Sequence, residues 1–164
     1  MAAQSGPSVD PVCHAPAFTG AGSGQDPLAN ACYHQARAPR AKELLTRALA
    51  LDPKYPLDSV MANLSWVEFM LGNHDAAIDW GQKAMAANPA WYARYPTLAT
   101  AYAMKGDRDK AAAAAAAAFK ADPRDTISGV SQWLEFPLVP VHPAYRAWAL
   151  QHLVPAMRLA GFPP

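Results

Sequence analysis

Charge is scarce and almost balanced, with 14 Lys and Arg against 13 Asp and Glu and a net charge of +1. Chains that hold nucleic acid or an anionic membrane through long-range electrostatics carry a basic excess. This composition gives no ground to expect either partner. Long apolar runs are missing too. None approaches the roughly 18–20 residues that cross a bilayer as a helix, so no membrane span is expected. The opening Met1-Ala-Ala-Gln-Ser-Gly-Pro has neither the basic nor the apolar stretch of a secretory signal. A cytoplasmic location is therefore expected. The periplasm is the alternative, since that opening also suits a mature exported protein. Cysteine is nearly absent, with only Cys13 and Cys32. A bridge between them would close a loop of about 20 residues, worth roughly 3 kcal/mol if chain entropy governs. The other reading is two unrelated thiols in a reducing cytosol.

Signatures of chemistry are equally sparse. No Gly-x-Ser-x-Gly elbow, phosphate-binding glycine loop or dinucleotide fingerprint occurs. Glu43, Glu68, Asp75, Asp79 and Asp125 fall at expected helix surfaces or caps, and no two form a pair suited to acid–base work. Cys13-His14 and Cys32-Tyr-His34 could in principle gather four metal ligands. Structural zinc sites use tighter Cys-x2–4-Cys and His-x3–5-His spacing. His74 reads as a solvated turn residue and His152 as a boundary residue on the last helix. The expectation is a chain that is not an enzyme and has no metal or cofactor.

What is present is a repeat. A shift of 34 residues carries Leu64 to Leu98, Gly72 to Gly106, Asn73 to Asp107 and Ala77 to Ala111. It also carries Ala84 to Ala118, Asn88 to Asp122 and Pro89 to Pro123. Each unit reads as two helices. Asp58 or Ser59 can cap the first, whose apolar residues Val60, Leu64, Val67 and Leu71 recur at helical spacing. Gly72 stops it, and a second helix runs to about Ala87, where Asn88-Pro89 ends it. In the next unit Gly106 stops one helix, and Asp107 caps another running from Arg108 to Ala121. Ala41, Ala48, Asp52 and Pro53 match Ala77, Ala84, Asn88 and Pro89 at a spacing of 36. They mark an earlier, degraded unit whose first helix is expected near residues 27–37.

Leu64, Gly72, Ala77, Ala84 and Pro89, with Leu98, Ala99, Tyr102, Gly106, Ala111, Ala118 and Pro123, resemble the tetratricopeptide repeat. The departures are Ser65, where glycine or alanine is usual, and Glu68, where an aromatic is usual. Gly81 and Ala115 replace larger residues, and Trp91, Tyr92 and Tyr95 are expected to fill that space. The resemblance implies an all-α, right-handed helical solenoid of about three helix pairs with a C-terminal capping helix. The expected organisation is a tail over residues 1–25, repeats over 26–123 (26–57 degenerate, then 58–91 and 92–123), and a helical cap over 124–164.

Within the cap, residues 126–136 suit one helix, and three prolines between 137 and 143 forbid another. Pro143 opens a last helix capped by His142 and closed by Gly161, with Pro155 expected to kink or split it. The sequence His-Pro-Ala-Tyr, followed by Met157-Arg-Leu-Ala-Gly-Phe-Pro, resembles the C-terminal repeat module of bacterial class III adenylate cyclases and winged-helix regulators. That resemblance implies a regulatory or interaction module without its neighbours' activities.

The family's groove positions, carried across residue by residue, are Asn30, Tyr33 and His34 in the degraded unit. They continue as Asn63, Trp66, Phe69 and Met70, then Thr100 and Met104. The family's carboxylate clamp, which grips chaperone C-termini, is excluded because Asp26, Ala93 and Thr97 stand where basic side chains are required. Large apolar residues at Trp66, Phe69 and Met70 instead suggest an apolar peptide or helix as ligand. The bland alternative is that Trp66 and Phe69 simply pack under the tail or on each other. The expected function is protein–protein interaction with another polypeptide, as module or adaptor. The alternatives are a small-molecule sensor with a pocket among Trp66, Phe69, Trp80, Trp91 and Tyr95, or a structural subunit of a larger assembly.

Overall fold

The 34-residue period is visible in the backbone hydrogen bonds. Gly72 N–H donates to Phe69 O (3.0 Å) and Asn73 N–H to Glu68 O (2.9 Å). One period later, Gly106 N–H donates to Ala103 O and Asp107 N–H to Tyr102 O, both at 3.0 Å. Each pair closes a helix end through a glycine at positive φ, 78° at Gly72 and 81° at Gly106, where any Cβ would be strained. The structure, a computed structural model, describes residues 37–51, 57–88, 95–135 and 142–164, apart from the side chains of Leu57, Tyr95 and Trp133.

Among the described residues every regular element is helical. They are α1 (Ala38–Leu51), α2 (Leu57–Met70), α3 (His74–Ala87), α4 (Tyr95–Lys105), α5 (Arg108–Ala121) and α6 (Ile127–Glu135). The chain continues through α7 (Pro143–Trp148), a π-helical turn (Ala149–Leu153) and α8 (Val154–Ala160). Helices α2 with α3, and α4 with α5, form the two pairs. Helix α1 packs on α2, and α3 on α4, so the pairs stack as an α-solenoid. The first helix expected near 27–37, the N-terminal tail, both cysteines and His14 lie outside the described residues.

Alanine lets the pairs close. Ala77, Ala84, Ala111 and Ala118 are all at most 5% exposed, and their seven-residue spacing puts each couple on one helix face. Gly81 extends the argument. A Cβ there would stand 2.6 Å from Leu98 Cδ2 and 3.0 Å from Ser65 Oγ, so α2, α3 and α4 meet at a point with no room for a methyl group. Leu98 lies in the space beside Gly81; the side chains of Trp91, Tyr92 and Tyr95, expected to fill the space at Gly81 and Ala115, are outside the described residues.

The two departures in α2 have local explanations. Ser65 Oγ donates to Ala77 O at 2.7 Å in a buried setting, so its polar atom is satisfied across the pair. Glu68, 3% exposed, faces Lys42 Nζ of α1 at 2.7 Å and accepts from Asn73 Nδ2 at 2.8 Å. A buried carboxylate needs such partners, and here they join the degraded unit to the next. Asn73 consequently makes no side-chain cap on α3, whereas Asp107 does cap α5, accepting from Lys110 N–H at 3.3 Å. Helix α2 begins at Leu57, one residue before the expected caps. Asp58 sits in its first turn and accepts from Asn88 Nδ2 at the end of α3 (2.8 Å).

The C-terminal segment follows its prolines. His142 Nδ1 accepts from Ala144 N–H at 3.2 Å, with Pro143 at the first helical position. Pro155 has no N–H to give, and its ring crowds the preceding turn. The helix answers by widening to π geometry over Ala149–Leu153. Gly161, at φ 84°, ends α8, and Ile127 N–H donates to Pro163 O at 2.9 Å. Helix α8 rests mainly on α4, with lesser contacts to α5 and α6.

Candidate functional site: an aromatic face held by the C-terminal helix

Helix α2 is buried on almost every side, from Ser59 and Val60 to Phe69. Its Val60, Leu64 and Val67 pack with Ala38, Ala41 and Leu45 of α1. The stripe Ser59, Asn63, Trp66 and Met70, at spacings of three and four, points another way. At its end the Trp66 and Phe69 rings stack, with centroids 5.8 Å apart. Trp148 of α7 stands edge-on to both, at 5.8 Å from Trp66 and 6.0 Å from Phe69. Tyr145 (5.7 Å) and His152 (6.0 Å) flank Trp148 along its own helix. His74, the first residue of α3, lies 5.5 Å from Phe69. The face that the solenoid presents through α2 and α4 is thus covered by the chain's own C-terminal helix.

The candidate residues separate accordingly. Trp66, Phe69 and Met70 come together in one cluster with Tyr145, Ala149 and Trp148, and Phe69 is only 4% exposed. Thr100 is fully buried, and its hydroxyl donates to Pro96 O at 2.8 Å, one turn back in its own helix. Asn63 is 1% exposed, and among the described residues neither amide atom has a hydrogen-bond partner; Ser59 Oγ, one turn earlier, lacks one there as well. Met104 is 45% exposed. Asn30, Tyr33 and His34 lie outside the described residues.

Sequence reasoning passed over Tyr145, Trp148 and His74 as parts of this cluster. The signal for the first two was available, because Tyr145, Trp148, Ala149, Leu153, Ala156, Met157 and Ala160 make an amphipathic stripe. The face on which that stripe lands is set by the tertiary path. His74 is half-buried rather than fully solvated. Burial lowers its pKa below the usual histidine value; the nearby Asp75 opposes this and Lys105 adds to it. Its Nδ1 is buried without a hydrogen-bond partner among the described residues.

Trp80, one of the aromatics suggested for a sensor pocket, lies on α3 with Lys83 Nζ 4.6 Å from its ring centroid. A separate cleft of about 570 Å³ lies along the connection that follows α5 and the first turns of α6, lined by Asp122, Arg124, Asp125, Thr126, Ser128 and Gln132 among others. Arg124 makes a double hydrogen bond to Asp122 and holds that carboxyl down at about 2. Burial, with Asp122 alongside, pushes Asp125 up to about 6, Arg124 opposing.

No family model matches the chain, and no curated protein does. Among solved structures, the crystal structure of MamA, a tetratricopeptide-like protein, superposes with a TM-score of 0.55 at 22% identity. The match covers 81% of this chain and 74% of MamA. The fold is a tetratricopeptide-type solenoid. The likeness is one of fold, in line with the repeat signature over residues 58–123. No described helix is long and apolar enough to cross a membrane.

Proposed function

We propose that this chain is a protein–protein interaction module, without catalysis of its own, that receives an apolar helical segment of another polypeptide on the α2–α4 face. One observation carries the reading. That face already holds an amphipathic helix, residues 143–160, through Trp66, Phe69 and Trp148. A surface of stacked aromatics that accepts a helix in cis has the shape and chemistry to accept one in trans. The resemblance of residues 58–163 to the C-terminal modules of bacterial cyclases and winged-helix regulators supports a regulatory setting for this binding.

The test is capture from the native source, read by native mass measurement. The wild-type chain is expected to retain a polypeptide. The variant Trp66→Ala with Met104→Glu is expected to lose it while keeping its helical circular dichroism. Retention of a small molecule instead of a polypeptide would overturn the proposal in favour of a sensor domain.

A further inference from the structure

The second helices of the two pairs share a repeat position but differ in their outward surface. The 34-residue shift carries Asp75, Asp79, Gln82 and Lys83 of α3 to Asp109, Ala113, Ala116 and Ala117 of α5. On α3 these residues are polar and partnered within the molecule. Asp79 pairs with Lys83 at 2.7 Å, Asp75 with Lys105 at 2.8 Å, and Gln82 Nε2 donates to Tyr102 Oη at 2.8 Å. The repeat therefore does not require alanine there. On α5, Ala112, Ala113 and Ala116 are exposed, and Phe119 on the same side is 39% exposed. A helix face turned to water normally carries polar and charged residues; this one carries charge only towards its ends. Asp109 in the first turn and Lys120 in the last are both exposed, and among the described residues neither forms an ion pair.

Asp109, Ala113, Ala116 and Lys120 stand at intervals of four, three and four. The intervals are the same read from either end. Eleven residues make three helical turns plus about 20°, so all four lie close to one line along the helix. An antiparallel copy of α5, related by a two-fold axis through the middle of that line, meets it in register. Ala113 then faces Ala116 of the second copy and Asp109 faces Lys120, each contact formed twice. Ala112 and Phe119 fall on one flank, so each Phe119 ring lies against Ala112 of the other copy. Alanine at the crossing lets the two helix axes approach to about 8 Å. The helix macrodipole accounts for the sign of each end charge, but it does not account for the uncharged face between them.

We propose that the outward face of α5 is a self-association surface, occupied by α5 of a second copy of this chain in an antiparallel, two-fold arrangement. The two Asp109–Lys120 pairs set its direction and register, and the alanines with Phe119 supply the apolar contact. An isologous contact of this kind closes at two copies. One helix face is small beside the roughly 1,200–2,000 Å² of a stable interface, so the dimer is weak and forms at high local concentration. This face shares no residue with the aromatic cluster on α2, and the contact does not depend on binding there.

The test is sedimentation velocity of the full chain at low salt, where surface charges are least screened, from about 10 µM to about 1 mM protein. A monomer–dimer equilibrium is expected. Asp109→Lys and Lys120→Asp, each alone, set like charges against one another twice and are expected to weaken the dimer at least about fivefold. The double reversal restores opposite charges and is expected to return the affinity to within about twofold of wild type. Ala116→Glu, near the two-fold axis, is expected to abolish the dimer while helical circular dichroism persists. Monomer at every concentration, a dimer indifferent to the single reversals, or no recovery in the double reversal overturns the proposal. Should reversed charges at the helix ends unfold the chain, Ala116→Glu decides, and a dimer that survives it refutes the surface.

Discussion

Lys42 and Glu68 form an ion pair at 2.7 Å between the degraded unit and its neighbour, with the carboxylate buried and the ammonium about half exposed. Removing only the cation leaves Glu68 with Asn73 as its remaining partner. Lys42→Met is expected to cost about 1–3 kcal/mol, the usual penalty for stranding a buried acceptor. Glu68→Gln should cost less, because a neutral amide tolerates burial better and can still bond Asn73. Denaturant unfolding of the two variants checks the order, and a costlier Glu68→Gln would contradict it.

The contact between Gly81 and Leu98 predicts a size limit. Gly81→Ala places a methyl group within 2.6 Å of Leu98 Cδ2. Overpacking of about 1–3 kcal/mol is expected to outweigh the better helix propensity of alanine. Combining it with Leu98→Ala should cost less than the sum of the two single changes, because each relieves the other. Strict additivity in thermal unfolding would mean that the helices part freely here.

The alanine-rich α5 should show a sided response. Ala118 is fully buried, whereas Ala113 is exposed on the same helix. Ala118→Leu is expected to lose about 1–3 kcal/mol, and Ala113→Leu to stay within about 0.5 kcal/mol of wild type. Comparable melting temperatures for the two variants would undo the assigned helix face.

His74 should make the aromatic cluster sensitive to acid. Its folded pKa lies below 6.5, so the unfolded chain takes up the proton first as pH falls. Stability from this group is full above 6.5, declines as pH drops through that value, and levels off below the folded pKa. The difference in unfolding free energy between wild type and His74→Asn is expected to shrink from pH 7.5 to pH 5. A difference constant with pH would show that His74 is not desolvated.

Asp125 acts in the opposite sense. Its carboxyl is raised from 3.8 to about 6, chiefly by burial, so the folded state holds the proton more tightly than the unfolded chain. The resulting penalty is absent below about 3.8 and complete above about 6. Asp125→Asn should therefore raise the melting temperature at pH 7.5 and leave it unchanged at pH 3.5. A loss of stability at pH 7.5 would show that the carboxylate makes a favourable contact there.

The sequence alone determined the two helix pairs between residues 58 and 123. Gly72 and Gly106 stop helices because only glycine enters their left-handed conformation cheaply, and that is a local property. The run Arg108–Ala121 and the closure at Gly161 were legible for the same reason, as were the small faces at Ala77 and Ala111, through a period that survives any change of neighbours. Only the tertiary structure decided what lies against what. The sequence marks Trp66, Phe69 and Trp148 as large and apolar, but it does not say that the third covers the first two, because residues 66 and 148 are joined by no local rule. Glu68 looked like a misplaced aromatic until Lys42 and Asn73 were seen around it. Burial at Phe69 and Thr100, and the half-buried ring of His74, follow from where the C-terminal segment and the neighbouring pair come to rest. Periodicity fixes the face of a helix that turns inward; which surface receives it depends on contacts made between distant parts of the chain.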